Sequence, residues 1–356
     1  MLYFRNNNAI KHREEYKKLS DIQYNLQFEK LCMMLQLGEL VGTPEALTGG
    51  LLHRMYAIKT THGKYAVKAL NPQIMIRPTA MQNIINSERI ANIAANNVPA
   101  LPAKQFNSAS VQQIDNQCYL VFDWVDGRSL KPNEINTVHC EKMGEIVAEI
   151  HMTDFSELGI VNNWSNSAQL TDWNYYLQQG QKNNALWVSL LVETIDQLYD
   201  WNAQANNAAK LLASNMVISH GDLDSKNVMW NQDTPILIDW EASGYINPMQ
   251  NLTETAIYWS ENETGNMDKE RFSAFIGGYK KRYGPLQANW KMVLENGFLG
   301  TLGWLEYSLK RSLWIECTDE KEQQMGTDQV TGTITAIRRY ADQISEIEQW
   351  LNDENS

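Results

Sequence analysis

The chain has 356 residues, of which 43% are hydrophobic and 20% are charged, and its formal net charge is −12. This composition is typical of a folded globular protein and excludes a disordered or fibrous chain. The acidic balance argues against a nucleic-acid-binding protein, which usually presents a basic surface. The length is sufficient for two domains or lobes, each with a core of its own.

The charge is unevenly distributed along the chain. Residues 1–100 carry 12 basic and 7 acidic side chains, whereas residues 101–356 carry 18 basic and 35 acidic ones. We therefore expect an anionic ligand to favour the first part and a cationic ligand the second. The alternative is that these charges only keep the surface soluble.

The cysteines and the absence of long apolar runs predict a cytoplasmic protein. Cys32, Cys118, Cys140 and Cys317 are far apart and lack the spacing of a zinc site. They are typical of buried thiols in a reducing compartment. No apolar run approaches the ~20 residues that span a bilayer, and the first residues lack the apolar core of a signal peptide. We expect no membrane and no nucleic-acid partner, and the oligomeric state stays open.

The first part of the chain is predicted to form a small antiparallel sheet with one long helix. Apolar residues at roughly helical spacing indicate an N-terminal helical extension over residues 1–38, which Gly38 ends. Residues 39–122 then form the first lobe. Its predicted strands and helix are 51–59, 65–70, 79–96, 111–114 and 117–122.

The second part is predicted to be mostly helical. Residues 123–128 are interpreted as a hinge, and residues 129–356 as a helical lobe. The predicted helices are 134–151, 185–213, 272–283, 290–315 and 330–351. A non-helical island over 216–241 interrupts them, and its polar residues gather at the ends of short apolar strands. Loops at strand ends are where catalytic side chains usually lie. The predicted fold class is therefore α+β and bilobal.

Three polar residues of this island are suited to phosphoryl-transfer chemistry. Asp222 follows one apolar strand, Asn227 opens a second, and Asp239 ends a third. A hairpin between the last two strands would bring Asn227 and Asp239 to one edge. An amide oxygen with a carboxylate suits Mg²⁺ and suits zinc poorly. Asp222 is then a candidate to orient a hydroxyl nucleophile and accept its proton.

The first lobe carries the remaining parts of a phosphoryl-transfer site. Thr48, Gly49 and Gly50 precede a strand and lack bulk, so that backbone N–H groups could approach phosphate. Lys68 lies in a predicted strand, and Glu88 lies in the predicted helix about twenty residues further on. Separately, these residues also suit an ordinary turn, a solvated lysine and a surface glutamate.

Two segments resemble the aminoglycoside phosphotransferase family of protein-kinase-like small-molecule kinases, which is similar to choline kinases. His220-Gly221-Asp222-Leu223-Asp224-Ser225-Lys226-Asn227 resembles the HGDxxxxN catalytic loop of the family, and Ile238-Asp239-Trp240-Glu241-Ala242 resembles its metal-binding segment. The resemblance covers residues 45–310 in order and spacing. It implies a bilobal protein-kinase-like fold that binds nucleotide and Mg²⁺.

The resemblance also implies roles for individual residues. Asp222 is the implied catalytic base, Asn227 and Asp239 the implied Mg²⁺ ligands, and Lys68 with Glu88 the implied ion pair. Lys226 is expected to contact the γ-phosphate, as a lysine in this loop does in protein kinases, and His220 to anchor the loop. The hinge residues expected to meet the adenine base are Phe122, Asp123, Trp124 and Val125.

The chain departs from the family pattern in three places. Asp224-Ser225-Lys226 stands where the family often has His or Pro-Gly. Asn247 and Asn251 stand where aspartates are usual, which weakens any bracing of the catalytic loop by charge. The loop at residues 48–53 lacks the two-glycine spacing of protein kinases.

The acceptor site is expected in the helical lobe. All 12 tryptophans lie at or beyond Trp124, and an aromatic face binds cations or stacks on sugars. Glu241, Trp259 and Glu306 are our chief candidates for acceptor contacts. Further candidates are Trp304, Trp314, Glu254, Glu261, Glu263 and Glu316. Any single tryptophan is more often a core residue and any single glutamate more often a solvated one, but the acidic set favours an amine-bearing acceptor.

The sequence therefore predicts an ATP- or GTP-dependent kinase that phosphorylates a hydroxyl of a small, amine-bearing molecule such as an aminoglycoside. Choline, ethanolamine, homoserine, a macrolide or methylthioribose are alternative acceptors. A catalytically silent nucleotide-binding protein with this fold is the alternative from another class. A protein kinase is disfavoured, because the chain has HGD in place of HRD, I-D-W-E in place of DFG, and no APE-like segment.

Overall fold

A computed structural model describes residues 23–48, 52–161, 170–317 and 319–354. The chain divides into two compact units. The first consists of residues 1–95 and 100–127, and the second of residues 96–99 and 128–356. The division after residue 127 falls within the segment that the sequence assigns to a hinge.

The first unit is built on a five-stranded antiparallel sheet with the order β1-β2-β3-β5-β4. Its strands are β1 (Glu45–Leu47), β2 (Arg54–Lys59), β3 (Lys64–Ala69), β4 (Gln112–Ile114) and β5 (Gln117–Asp123). The register pairs Val67 of β3 with Tyr56 on one side and Val121 on the other. Strand β1 was not predicted, and its presence makes residues 48–53 the connection between two paired strands.

The helices of the first unit are α1 (Phe28–Met34), α2 (Pro72–Met75) and α3 (Ala80–Ala94). Helix α1 buries Leu31 and Cys32 in the same apolar cluster as Ile58 and Val67 of the sheet. The predicted N-terminal extension therefore contributes to the core of this unit from α1 onward. Its residues 1–22 lie outside the described part, and residues 23–27 form no regular element.

The second unit is mostly helical, as predicted. Its helices are α4 (Thr137–Met152), α5 (Trp173–Lys182), α6 (Val188–Leu212), α7 (Pro248–Ser260), α8 (Lys269–Tyr283), α9 (Trp290–Asn296), α10 (Phe298–Ser312) and α11 (Glu320–Asp353). Helices α4 and α8 cross so closely that a Cβ at Gly144 would lie only 2.0 Å from the carbonyl oxygen of Phe275. Glycine is therefore required there for the helices to pack.

Two helix predictions need correction. The helix predicted over 290–315 is two helices, α9 and α10, which meet at Gly297. Helix α11 begins at Glu320, ten residues before the predicted start, where the Asp319 side chain accepts a hydrogen bond from the Glu322 N–H. Helices α5 and α7 were not predicted. None of the helices in the described residues is both long and apolar enough to cross a membrane.

Short strands interrupt the helices, most of them between α6 and α7. Strands β6 (Arg128–Ser129), β8 (Val228–Asn231) and β9 (Thr234–Leu237) form a three-stranded sheet, and β7 (Val217–Ser219) pairs with β10 (Gly244–Ile246). The predicted hairpin is therefore present as β8 and β9. It positions the two polar segments that resemble the catalytic loop and the metal segment.

Candidate active site

The candidate catalytic loop, residues 220–227, follows β7 and requires a glycine at its second position, Gly221. Gly221 has a φ of +79°, and a Cβ on it would lie 2.4 Å from the carbonyl oxygen of Ala242. Only a residue without a side chain adopts this conformation and allows this approach without strain. The approach holds the loop that carries Asp222 against the segment that follows Asp239.

A buried histidine joins the same two segments. One ring nitrogen of His220, Nε2, lies 3.0 Å from the carbonyl oxygen of Ile238, and the other, Nδ1, lies 3.3 Å from the backbone nitrogen of Asp222. A neutral ring with its proton on Nε2 satisfies both hydrogen bonds. Burial lowers the pKa of His220, although the nearby Asp222 and Asp239 oppose this shift. The residue therefore ties the loop to the segment that precedes Asp239.

Asn227 lies against Asp222 in a defined orientation. Its Nδ2 donates to the backbone oxygen of Asp222 at 2.7 Å and to the carboxylate Oδ2 at 2.9 Å. Its own backbone oxygen accepts from the N–H of Ile238 at 2.9 Å. Because the amide nitrogen is used in this way, Oδ1 is the atom left as an acceptor for a cation.

Asp239 directly follows Ile238 and has the unusual backbone angles φ 63° and ψ 60°. A non-glycine residue in this left-handed region is uncommon and often marks a functional site. Both Asp222 and Asp239 act electrostatically on His220. The structure thus brings Asp222, Asn227 and Asp239 together within the second unit.

This donor set fits Mg²⁺. Asn227 and Asp239 offer hard oxygen ligands, and no group of three or more His, Cys, Asp and Glu residues suited to a metal occurs in the described part of the chain. Protein Mg²⁺ sites usually use one or two carboxylates together with water and substrate phosphates. An open, incomplete set of this kind fits an ion that is shared with a nucleotide.

Lys226 lies beside the two aspartates of the loop. Its Nζ is 3.7 Å from Asp222 Oδ2 and 3.4 Å from Asp224 Oδ2. Burial lowers the pKa of Lys226, but Asp224 and Asp222 outweigh this effect and the pKa is raised overall. The side chain is therefore a stable cation, and about half of it is exposed.

A neutral network braces the strand that leads into the loop. Ser219 Oγ donates to Asn251 Oδ1 at 2.7 Å, and His151 Nε2 lies 2.9 Å from the same oxygen. The other ring nitrogen of His151 contacts the hydroxyl of Tyr279 at 2.8 Å. Burial lowers the pKa of His151 to about 4. Asn251 therefore braces the loop by hydrogen bonds without a charge, a role that the sequence did not predict.

The predicted nucleotide residues of the first unit lie on its sheet, on α3 and directly after β1. Lys68 is 6% exposed and pairs with Leu120 in the sheet. Glu88 is 5% exposed on α3, and its Oε2 accepts the N–H of Ala103 at 2.6 Å. Thr48 is exposed directly after β1. Gly49 and Gly50 lie outside the described residues.

The side chains of the predicted hinge residues are engaged in contacts within the first unit. Phe122 is buried in the sheet. Asp123 is the last residue of β5, and its carboxylate accepts from Lys104 Nζ at 2.7 Å. The indole N–H of Trp124 donates to Asp126 Oδ1, and Lys64 lies 3.4 Å from the indole ring centre. A base bound at Phe122–Val125 would therefore be met by backbone groups.

A pocket of about 340 Å³ lies within the second unit, with walls from α7, α9, α10 and α11. We call it the acceptor pocket, after the acceptor site that the sequence predicts in the helical lobe. Its volume is at the small end of the ~300–1,000 Å³ typical of small-molecule sites. The residues that line it are Gln250, Thr253, Glu254, Ile257, Tyr258, Glu261, Val293, Gly297, Thr301, Trp304, Gln329, Gly332, Thr333, Ala336, Ile337 and Tyr340.

Three of the wider set of predicted acceptor residues, Glu254, Glu261 and Trp304, line this pocket. The three chief candidates, Glu241, Trp259 and Glu306, are not among its lining residues. Trp259 has no exposed surface, and its indole N–H donates to the carbonyl oxygen of Leu223, so it positions the catalytic loop from the core. Glu306 does not line the pocket, and its carboxylate is bound by other side chains of the protein.

The partners of Glu306 are Lys310 Nζ at 3.0 Å, the hydroxyl of Tyr176 at 2.9 Å and that of Thr171 at 3.0 Å. The other predicted acceptor residues, Glu241, Glu263, Trp314 and Glu316, are not among the pocket residues. Glu241 lies in the short helical turn directly after Asp239 and is half-buried.

Four polar residues of the pocket were not predicted from the sequence: Gln250, Tyr258, Gln329 and Tyr340. A signal for the first two was present. Asn247 followed by Pro248 is a helix-start pattern, and helical spacing from there puts Gln250, Glu254, Tyr258 and Glu261 on one face.

The pocket is electrostatically connected to the catalytic loop. Burial raises the pKa of Glu254 to about 7, and Asp222 adds to the shift, while the hydrogen bond from Tyr258 opposes it. Tyr258 Oη lies 3.1 Å from Glu254 Oε1. Glu254 and Tyr258 therefore lie on a side of the pocket that is within electrostatic reach of Asp222.

A carboxylate on an HGD loop beside an amide and a second carboxylate defines a kinase-like phosphotransferase site. The sequence matches the phosphotransferase enzyme family over residues 43–286, and the chain belongs to this family. The match confirms the predicted family and the predicted enzyme class of small-molecule kinase. No curated protein matches this sequence.

Solved structures confirm the predicted protein-kinase-like fold class. Spectinomycin phosphotransferase in complex with ADP and spectinomycin superposes with a TM-score of 0.65 at 11% identity, covering 89% of this chain and 99% of that one. Choline kinase from Cryptosporidium parvum has a TM-score of 0.58 at 13% identity, with coverages of 87% and 92%. Ethanolamine kinase from Plasmodium vivax has a TM-score of 0.57 at 16% identity, with coverages of 91% and 94%.

Proposed function

We propose that the protein transfers the γ-phosphoryl group of ATP or GTP to a hydroxyl of a small, amine-bearing acceptor such as an aminoglycoside. The observation that carries this proposal is the arrangement of Asp222 against Asn227, next to Asp239 and within electrostatic reach of Glu254 in the acceptor pocket. It combines a base, a hard-oxygen donor set and a small-molecule pocket within one unit.

Asp222 aligns the acceptor hydroxyl with the γ-phosphorus and accepts its proton as the new bond forms. Asn227 holds the Asp222 carboxylate in place through its Nδ2. With Asp239, it supplies the oxygen ligands for Mg²⁺, which neutralises the phosphate charge when bound. Positioning and charge stabilisation are expected to supply most of the rate acceleration.

The first unit contributes the remaining nucleotide contacts. Lys68, oriented by Glu88, is proposed to bind the α- and β-phosphates, and the backbone of residues 48–50 to cover the phosphates. The backbone of the hinge at Phe122–Val125 meets the base. Lys226 of the second unit, a stable cation beside Asp222, is proposed to contact the γ-phosphate.

The acidic pocket supports an amine-bearing acceptor. Glu254 and Glu261 both line it, and no lysine or arginine is among its lining residues. The choline and ethanolamine kinases among the structural relatives keep choline or ethanolamine as an alternative acceptor. A silent nucleotide-binding protein is disfavoured, because Lys68, Asp222, Asn227 and Asp239 are all present.

A nucleotide-consumption screen tests the proposal. The purified protein is incubated with Mg²⁺ and ATP or GTP across aminoglycosides, amino alcohols, sugars and macrolides, and each product is examined by mass spectrometry for an added phosphoryl group. We expect a phosphorylated product with at least one amine-bearing alcohol, and none with Asp222→Asn. Nucleotide binding without any product across the panel would support the silent alternative.

A further inference from the structure

Glu254 is a carboxyl group of the acceptor pocket that has no cationic partner among the described residues. Its one hydrogen bond is from Tyr258 at 3.1 Å, one helical turn away. Within the described part of the chain, no lysine, arginine or histidine forms an ion pair with it. Burial and the nearby Asp222 both disfavour its charged form. A partly buried carboxylate in this state is stabilised when a ligand supplies the missing positive charge.

The other glutamates near the pocket differ from Glu254. Glu261 lies seven residues further along the same helix face, roughly 10 Å away along the axis. Burial raises the pKa of Glu261, but the nearby Arg339 favours its charged form and opposes this shift. Glu306 and Glu316 both contact Lys310, at 3.0 and 3.9 Å. Glu254 is therefore the pocket carboxyl for which a ligand cation adds most.

The chemistry of Glu254 distinguishes between classes of acceptor. A protonated primary or secondary amine brings a positive charge together with N–H donors, and such charge-assisted hydrogen bonds are about twice as strong as neutral ones. A hydroxyl group brings a donor without the charge. A quaternary ammonium brings the charge without a donor, and aromatic faces recognise it better than a hydrogen-bonding carboxylate does.

The position of Glu254 also places this amine relative to the reaction. Helix α7 carries Glu254 on the pocket face, and on another face it carries Trp259, whose indole N–H holds the carbonyl oxygen of Leu223. Leu223 directly follows the catalytic Asp222. One helix thus ties the pocket carboxyl and the base together, and an amine at Glu254 lies on the side of the pocket that is within electrostatic reach of Asp222.

We propose that Glu254 selects the acceptor by binding a protonated primary or secondary amine next to the hydroxyl that is phosphorylated. The acceptor is then an amino alcohol or amino sugar, and quaternary ammonium compounds are excluded as preferred acceptors. This inference rests on the proposed function for the identity of the pocket as an acceptor site. Its test uses binding alone, so that the two fail separately.

The test is isothermal titration calorimetry with three probes: 2-deoxystreptamine, its di-N-acetyl derivative and choline. The proteins are the unaltered chain, Glu254→Gln and the matched control Glu261→Gln. Glutamine keeps the shape and the acceptor for Tyr258, and a melting curve verifies folding. We expect the unaltered chain to bind 2-deoxystreptamine at least about tenfold more tightly than either other probe, a difference of ~1.4 kcal/mol. Glu254→Gln abolishes this preference, and Glu261→Gln retains it.

Equal binding of the amine and its acetylated form, a preference for choline, or absence of binding for all three probes would overturn the inference. Retention of the full preference in Glu254→Gln would do so as well. Glu254-dependent amine binding without phosphorylation of any compound would refute the proposed kinase and leave the amine site standing. Phosphorylation of an acceptor at the same rate in Glu254→Gln would support the proposed kinase and refute the amine site.

Discussion

The side-chain nitrogen of Asn227 donates two hydrogen bonds to Asp222, one to its backbone oxygen at 2.7 Å and one to its carboxylate at 2.9 Å. The same amide thus orients the carboxylate of the proposed base and leaves its own oxygen as the acceptor for the proposed metal ion. Asn227→Leu would remove both functions, whereas a change at Asp222 removes the base alone. The two residues therefore form one positioned unit.

The first prediction concerns the base. Asp222→Asn retains an oxygen for the hydrogen bond from Asn227 but does not accept a proton. We expect phosphoryl transfer to fall by at least about 10²–10⁴-fold, the usual contribution of general base catalysis. Nucleotide affinity, measured by fluorescence with a labelled nucleotide, should change little. Transfer at a near-normal rate would remove Asp222 from this role.

The second prediction concerns the buried tryptophan beneath the loop. Trp259→Phe removes the N–H that bonds the carbonyl oxygen of Leu223 and leaves that oxygen without its partner. We expect a loss of about 1–3 kcal/mol in the free energy of unfolding. Trp304→Phe is the matched control, because Trp304 lines the pocket and is only partly buried. Trp304→Phe should weaken acceptor binding more than it lowers the free energy of unfolding. Denaturant unfolding and acceptor titration of both variants separate these effects.

The third prediction concerns the neutral brace. Asn251→Leu leaves the donors of Ser219 and His151 without their shared acceptor and should cost about 2–4 kcal/mol. Asn251→Asp keeps the acceptor and adds a charge, which should raise the pKa of His151 from its value of about 4. An NMR titration of the histidine signals measures this shift. An unchanged titration would show that Asn251 and His151 are not in contact.

The catalytic loop was predictable and the pocket was not, for a physical reason. Asp222, Asn227 and Asp239 lie within 18 residues of each other on a short hairpin, so that local spacing determines their arrangement. The pocket instead joins α7 with α9, α10 and α11, which are distant from it in sequence. Only tertiary packing shows that Trp304 faces it and that Trp259 is turned into the core.

The boundaries of the helices also depend partly on local sequence and partly on tertiary contacts. The apolar pattern over 290–315 predicted one helix, because a single glycine interrupts a periodic pattern only weakly. In the structure α9 ends and α10 begins at Gly297, and a Cβ there would lie 2.3 Å from the hydroxyl of Tyr340 on α11. The break thus depends on a contact with a distant helix. The sequence pattern contains no sign of it.

The fourth prediction uses a glycine of the pocket wall. A Cβ at Gly332 on α11 would meet no atom within 4 Å, so a larger side chain there projects into open space of the pocket. We expect Gly332→Leu to raise the KM for the acceptor by roughly tenfold or more by occupying its volume, with unfolding stability unchanged or higher, because leucine favours a helix more than glycine.

Gly303→Leu is the matched control for this experiment. Gly303 also lies in a helix and also meets nothing within 4 Å, but it does not line the pocket. Its acceptor kinetics should match those of the unaltered chain. An identical KM in both variants would place the acceptor elsewhere.

The fifth prediction concerns pH. Burial raises the pKa of Glu254 from 4.5 to about 7, with Asp222 adding to the shift and Tyr258 opposing it. The folded chain therefore binds more protons than the unfolded chain between these pH values, and the stability from this group is lost as the pH rises through that range. Glu254→Gln has no titrating carboxyl at this position and therefore does not lose this stability as the pH rises. The variant should be more stable at about pH 8 by on the order of 1–3 kcal/mol, and similar at about pH 4.

Urea unfolding of both proteins at the two pH values measures this difference. Without acceptor, the unaltered chain should be the less stable of the two only at the higher pH. Equal stability at both pH values would mean that Glu254 is solvated and unperturbed. The wall formed by Tyr258 and Tyr340 would then be open to water.

The central claim is that Asn227 and Asp239 hold one divalent ion beside the base Asp222. Electron paramagnetic resonance of Mn²⁺, titrated in the presence of ADP, measures this ion directly. We predict that Asn227→Ala and Asp239→Ala each weaken Mn²⁺ binding by at least about tenfold, or ~1.4 kcal/mol, while Asp222→Asn retains it within a few fold. Unchanged Mn²⁺ binding in Asp239→Ala would contradict the account.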